Sequence, residues 1–259
     1  QRLLESVEGN PTSVGQAAIF WNASVAAEAR GELATALELA QNALALVKDQ
    51  DTYRDLPRLR MQVAWLLLRS QPEQAPEAGR LLDLCLPGLQ SLGAREDLAE
   101  WNTLRAAVHL RAGRVEPAEQ HARQALRLVP PHRIRLTARA HVTMGDVLRA
   151  KGQPKAALAS YEAARSVLCR DEASRLGAPV WRDVAERLRQ LGEPSALDAF
   201  ARSLDAAGIR FNALPEVNGS KPVALAGSGS ATTVDLAAGT VEMATPTPRQ
   251  RLSVTRLHG

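Results

Sequence analysis

The chain has 259 residues, 45% of them hydrophobic but only 3% aromatic, and a formal charge of +4. So much Ala and Leu with so few rings suits closely approaching helices and argues against a sheet, which favours β-branched and aromatic residues. The mild basic excess permits an acidic partner without demanding nucleic acid, and the longest apolar run, around Trp65 to Leu68, is far too short to span a bilayer. Residues 1–12, where Leu3, Leu4 and Val7 cluster, read as the end of a preceding helix in a longer protein. The first helical pair then runs from about Ser13 to Arg30 and from Glu32 to about Lys48, turning at Gly31. In the second pair the stretch Gln71 to Pro76 replaces that glycine, and Pro87 is expected to kink the second helix. Gly113 and Gly152 mark the turns of the third and fourth pairs, Pro130 and Pro131 stop the third, and Gly192 marks the fifth. Within the fourth pair, Met144, Gly145 and Leu148 form one buried stripe, and Ala157, Tyr161, Ala164 and Leu168 form the other. Gly145 is expected to serve close contact between neighbouring backbones.

A period underlies these pairs. Ala36, Ala78, Ala118, Ala157 and Ala196 recur at intervals of 42, 40, 39 and 39 residues, and seven residues beyond each stands a small side chain: Ala43, Cys85, Ala125, Ala164 and Ser203. Such self-similarity marks units that hide their apolar faces only by stacking on one another. Residues 13–211 are thus expected to form an all-α superhelical array of about five antiparallel helix pairs. After Asn212 the composition turns to Gly, Ser, Thr and Pro, with Gly227 to Ser230 and Thr245 to Pro248 as its extremes. Residues 212–259 are expected to be a mostly disordered, low-complexity tail; the alternative is that Thr233 to Leu236 and Gly239 to Met243 pair as a hairpin.

The residues of the array resemble tetratricopeptide repeats. The fourth unit carries Met144, Gly145 and Leu148, then Gly152, Ala157, Tyr161 and Ala164. The fifth supplies Trp181, Val184, Leu188, Gly192, Ala196, Phe200 and Leu204, and the third Trp101, Leu104, Val108, Gly113, Ala118, Ala125 and Pro130. The units are nearer forty residues than the usual tetratricopeptide length, so a HEAT-like array is the alternative. The final unit, from Val180 through Phe200 to Arg210, is also similar to the C-terminal repeat domain of actinobacterial transcriptional regulators with a helix-turn-helix of the phage-repressor type. That resemblance implies a domain that receives a signal and mediates homodimerisation, with DNA contacted only through a domain upstream of residue 1. A stand-alone adaptor that binds protein partners is the competing reading.

First helices line the inner side of a curved stack, which suits a peptide or extended protein segment. The residues placed there are Trp21, Asn22, Val25 and Glu28, then Met61, Gln62, Trp65 and Arg69, then Asn102 and His109, then Val142, Asp146 and Arg149, and finally Arg182, Glu186 and Arg189. Aromatic rings give apolar contact and an Asn amide donates and accepts at once. Against this, Trp65 and Trp101 at helical spacing suit a core, as Trp181 does, and Asp146 with Arg149 or Glu186 with Arg182 are expected to be intrahelical pairs.

No chemistry of catalysis is expected. His109, His121, His132 and His141 have no metal-ligand spacing, His258 lies in the tail, and no phosphate loop or nucleophile with its base can be named. Neither metal nor cofactor is therefore expected. Cys85 and Cys169 read as buried thiols of a reducing, cytoplasmic compartment. Arg111, Arg114, Arg123, Arg127, His132, Arg133, Arg135 and Arg139 gather basic charge at the junction of the third and fourth units, interleaved with Glu116 and Glu119. A solvated face is the plainer reading of that cluster, and phosphate or an acidic surface the other.

Overall fold

The structure, a computed structural model, describes residues 12–49, 54–91, 93–170 and 177–206, together with four short segments of the C-terminal region. The chain divides into a helical unit up to Ser203 and a C-terminal unit from Leu204. Among the described residues the helical unit contains α1 (Ser13–Arg30), α2 (Leu33–Val47), α3 (Leu56–Ser70), α4 (Ala75–Asp83), α5 (Leu86–Ser91), α6 (Arg95–Arg111), α7 (Val115–Leu128), α8 (Ile134–Ala150), α9 (Pro154–Leu168), α10 (Ala178–Gln190) and α11 (Ser195–Ala206). A 3-10 turn, Pro72–Gln74, joins α3 to α4. These elements form five antiparallel pairs, the second having its return helix split into α4 and α5.

The turns follow from the glycines. Gly31, Gly113, Gly152 and Gly192 all have φ between 69° and 86°, the left-handed region where a side chain costs most. The return helix of the second pair breaks at Leu84 and Cys85, just ahead of Pro87, whose ring cannot tolerate the carbonyl of the preceding turn. All five periodic alanines are buried, as are the five small residues that follow them. They are the points where helices meet, and Leu, Val and Met fill the space between. One apolar cluster runs through the first three pairs and includes Ala36, Leu67, Leu82, Trp101 and Leu104; another joins the third to the fourth through Ala106, Ala122 and Val147. Gly145 makes the closest approach, because a Cβ there would lie 2.6 Å from Cδ1 of Tyr161.

The array also meets itself. α1 of the first pair packs on α10 of the last, and the guanidinium of Arg182 lies so near Gly31 that a Cβ would fall 2.6 Å from its Nη1.

Of the C-terminal unit, the described residues are the last three of α11 and four strands: β1 (Val223–Gly227), β2 (Ser230–Asp235), β3 (Thr240–Met243) and β4 (Gln250–Ser253). The strands pair in sequence order as an antiparallel meander, with Val234 opposite Val241. β2 and β3 pair across Thr232 to Asp235 and Thr240 to Met243, within the two stretches of the hairpin alternative. The remaining tail residues, including Thr245 to Pro248 and His258, lie outside the described residues, as do Leu3, Leu4 and Val7.

Candidate functional site

Helical spacing builds the site. On α3, Trp65, Leu68 and Arg69 share one face, and Ala107, Leu110 and Arg111 repeat the same steps of three and four on α6. On α8 the face carries Arg139, Val142, Thr143, Asp146, Arg149 and Ala150, and on α10 Val180, Asp183 and Arg187. With Leu33 at the start of α2, these residues enclose a pocket of about 470 Å³. Every other lining residue comes from the first helix of a pair, so the pocket occupies the inner face of the array.

A chain of hydrogen bonds and ion pairs crosses that face. Glu28 on α1 accepts from the indole Nε1 of Trp65 at 2.6 Å and from Gln62 Nε2 at 3.0 Å, and stands 3.6 Å from Arg69 Nη1. Arg69 Nη2 donates to Asp183 at 2.9 Å, joining residues 114 positions apart. Asp183 stands 3.7 Å from Arg187, one turn further along α10. Arg187 grips both oxygens of Asp146 through Nε and Nη2, at 3.2 and 3.1 Å, and the Tyr161 hydroxyl donates to the same carboxylate at 2.9 Å. Burial pushes the Tyr161 phenol up, helped by the negative Asp146 beside it. Burial alone would lower the Arg187 guanidinium, but Asp146 and Asp183 outweigh it and raise its pKa. Partly desolvated pairs of this kind hold a particular arrangement of helices more than they add net stability.

Arginines dominate the pocket: Arg69, Arg111, Arg139, Arg149 and Arg187 against Asp146 and Asp183. Arg139 is buried, with its guanidinium carbon 3.9 Å above the Trp65 ring, and donates from Nη1 to Glu100 at 2.9 Å. Arg69 also lies over Trp65, at 5.0 Å. Stacking on an aromatic face is how a guanidinium tolerates such burial.

The residues expected on the inner face divide. Trp65, Arg69, Val142, Asp146 and Arg149 line the pocket, and Glu28 and Gln62 stand behind Trp65. Trp21 packs beside a core of Ala17, Ala43 and Leu59, and Asn22 is exposed away from the pocket. Met61, 1% exposed, is core. Asn102 and His109 correct the expectation most plainly, since both are buried. The Asn102 amide donates to Leu98 O and its oxygen lies 2.9 Å from His121 Nδ1, while His109 stacks on His121 with ring centres 5.2 Å apart. Val25 is half-buried and outside the lining. Arg182 sits at the Gly31 junction and Glu186 is held by Arg189 and Gln190, so these three also lie outside the lining. Asp146 and Glu186 thus pair differently from the intrahelical partners expected. Trp101 is core and donates to Leu82 O at 2.8 Å. Four of the eight residues of the basic cluster are matched by acids: Arg123 meets Glu119, His132 and Arg133 meet Glu96, and Arg139 meets Glu100.

No protein-family model and no curated protein matches the chain. Among solved structures it is similar to a Rap protein crystallised with Competence and Sporulation Factor, at a TM-score of 0.56 and 13% identity over 80% of this chain. The chain corresponds to 58% of that structure's length. It is also similar to MamA, at a TM-score of 0.38 and 13% identity, over 77% of this chain and 98% of that one. The array is tetratricopeptide-like. The tetratricopeptide-like pairs here are lengthened, and at this identity the likeness concerns the fold. Among the described residues, no group of three His, Cys, Asp or Glu side chains could hold a metal ion, and no helix is long and apolar enough to cross a membrane.

Proposed function

We propose that this chain is a binding domain whose inner pocket receives a peptide or an extended protein segment, and that it works as the sensing part of a regulator. The observation that carries the first half is the pocket itself. Four successive first helices present aliphatic side chains, one tryptophan and five arginines to the same volume of about 470 Å³, within the usual size of a ligand site. The similarity to a Rap protein solved with Competence and Sporulation Factor supports a ligand-receiving role for such an array. The regulatory half rests on the resemblance of the final unit to actinobacterial helix-turn-helix regulators, which would place DNA contact and dimerisation in the whole protein. A stand-alone adaptor uses the same inner face and fits the geometry equally. Binding without catalysis is common to both readings.

Two experiments test this. A peptide-library screen is run on the protein and on Trp65→Ala, which removes the ring under Arg139; a ligand retained unchanged by the variant places binding elsewhere and ends the pocket reading. The coding sequence ahead of residue 1 separates regulator from adaptor. A helix-turn-helix pattern there supports the first, and any other domain leaves the second.

A further inference from the structure

We propose that the inner pocket holds a carboxylate borne on an aliphatic body, with Arg139 as its buried anchor and Arg111 and Arg149 as its outer contacts. This deepens, and rests on, the reading of that face as ligand-receiving.

The argument begins from which guanidinium groups already have acids. Arg187 is committed to Asp146 and Arg69 to Asp183. Arg111 and Arg149 have no carboxylate partner among the described residues: Arg149 meets the side-chain oxygen of Gln190, and Arg111 reaches the Leu68 carbonyl only at 3.5 Å. Arg139 is 9% exposed and uses Nη1 on Glu100, yet its Nε and Nη2 are shielded from water and have no acceptor. These two nitrogens share one edge of the guanidinium, the fork that fits a carboxylate. The same edge holds both oxygens of a carboxylate at Arg58 with Asp97, at Arg187 with Asp146 and at Arg189 with Glu186. Dry, unpaired donors are costly, and a charged acceptor is the partner that relieves them most.

The rest of the pocket sets the body of the ligand. Leu68, Leu110, Val142 and Val180 give it aliphatic walls. Because the Arg139 guanidinium stacks on the Trp65 ring, a carboxylate engaging its Nε and Nη2 edge is expected to change the indole environment. The carboxylate has two sources, the end of a peptide or a small free acid, and the two differ in a titration.

N-acetyl-trileucine as the free acid, the same peptide as its amide, and octanoate are each titrated into the protein, with calorimetry and the Trp65 indole resonance as readouts. The free acid is expected to bind about tenfold or more tightly than the amide, the scale of a charge-assisted hydrogen bond, and to shift the Trp65 signal. Octanoate competing with the acid assigns a small free acid as sufficient; octanoate silent assigns the peptide end. The double variant Arg111→Gln, Arg149→Gln alters exposed positions and keeps the fold, and it is expected to abolish the preference for acid over amide, as is Arg139→Gln. Arg123→Gln, outside the pocket, is expected to keep it. Equal binding of acid and amide overturns the carboxylate site while leaving the peptide pocket standing. A preference that survives the double variant, or no binding by any of the three probes, overturns it as well.

Discussion

At the scale of single residues, the sharpest constraint is Gly145 beneath Tyr161. A methyl group there would lie 2.6 Å from Cδ1 of the ring, so Gly145→Ala is expected to cost about 1–3 kcal/mol of stability in a urea titration, the usual cost of overpacking, despite the better helix propensity of Ala. The histidine stack gives a second prediction. Burial lowers the pKa of both His109 and His121; Arg114 and Arg105 lower His109 further while Asp83 opposes them, and His109 and Arg105 lower His121. With folded pKa values below 6.5, the unfolded chain binds more protons as the pH falls, so stability present above pH 6.5 is lost below it. Melting temperature is expected to fall between pH 7.5 and 5.5, less steeply in His109→Phe; an unchanged slope in that variant would assign the effect to His121 and the half-buried His141 instead. Cys85, pushed up to about 12 by burial, is expected to stay unmodified by iodoacetamide in the folded protein. Asn102 shows where residue-scale reading from sequence stops. Its helix face was legible, but His121 on the next helix, which takes up its amide, is 19 residues away. Arg139 was legible only as one member of a basic cluster, since its burial depends on the ring of Trp65 on another helix.

Elements were the most legible level, because their signals are local. The glycines at the turns, the break before Pro87 and the stop at Pro130 and Pro131 each act within a few residues, and α7 does end at Leu128. The turn glycines are nevertheless not equivalent. Gly152 has open space around it, so Gly152→Ala is expected to cost only the left-handed conformation, about 1–2 kcal/mol. Gly31→Ala meets the same strain and must also displace Arg182, so its loss in a urea titration is expected to exceed that of Gly152→Ala. Equal losses would mean that the Arg182 guanidinium swings aside without cost. Asp183 and Arg187 escaped the sequence reading although a signal existed: the steps of three and four that place Trp65, Leu68 and Arg69 together also place Val180, Asp183 and Arg187.

Across the helical unit, the meeting of first and last pairs has no counterpart in the sequence period, which describes only neighbours. Arg69 of the second pair bridges the two, standing 3.6 Å from Glu28 on α1 and donating to Asp183 on α10. In a double-mutant cycle, Arg69→Gln and Asp183→Asn are expected to couple by roughly 0.5–3 kcal/mol; additive effects would show the bond to be incidental. A stack of repeats in which each touches only the next behaves as a one-dimensional chain and melts inward from its termini. Here α1 is fastened to α10, so neither terminal pair is free to fray alone. Amides of α1 and α10 should exchange hydrogen as slowly as those of α6 and α8, and heat should dismantle the five pairs together.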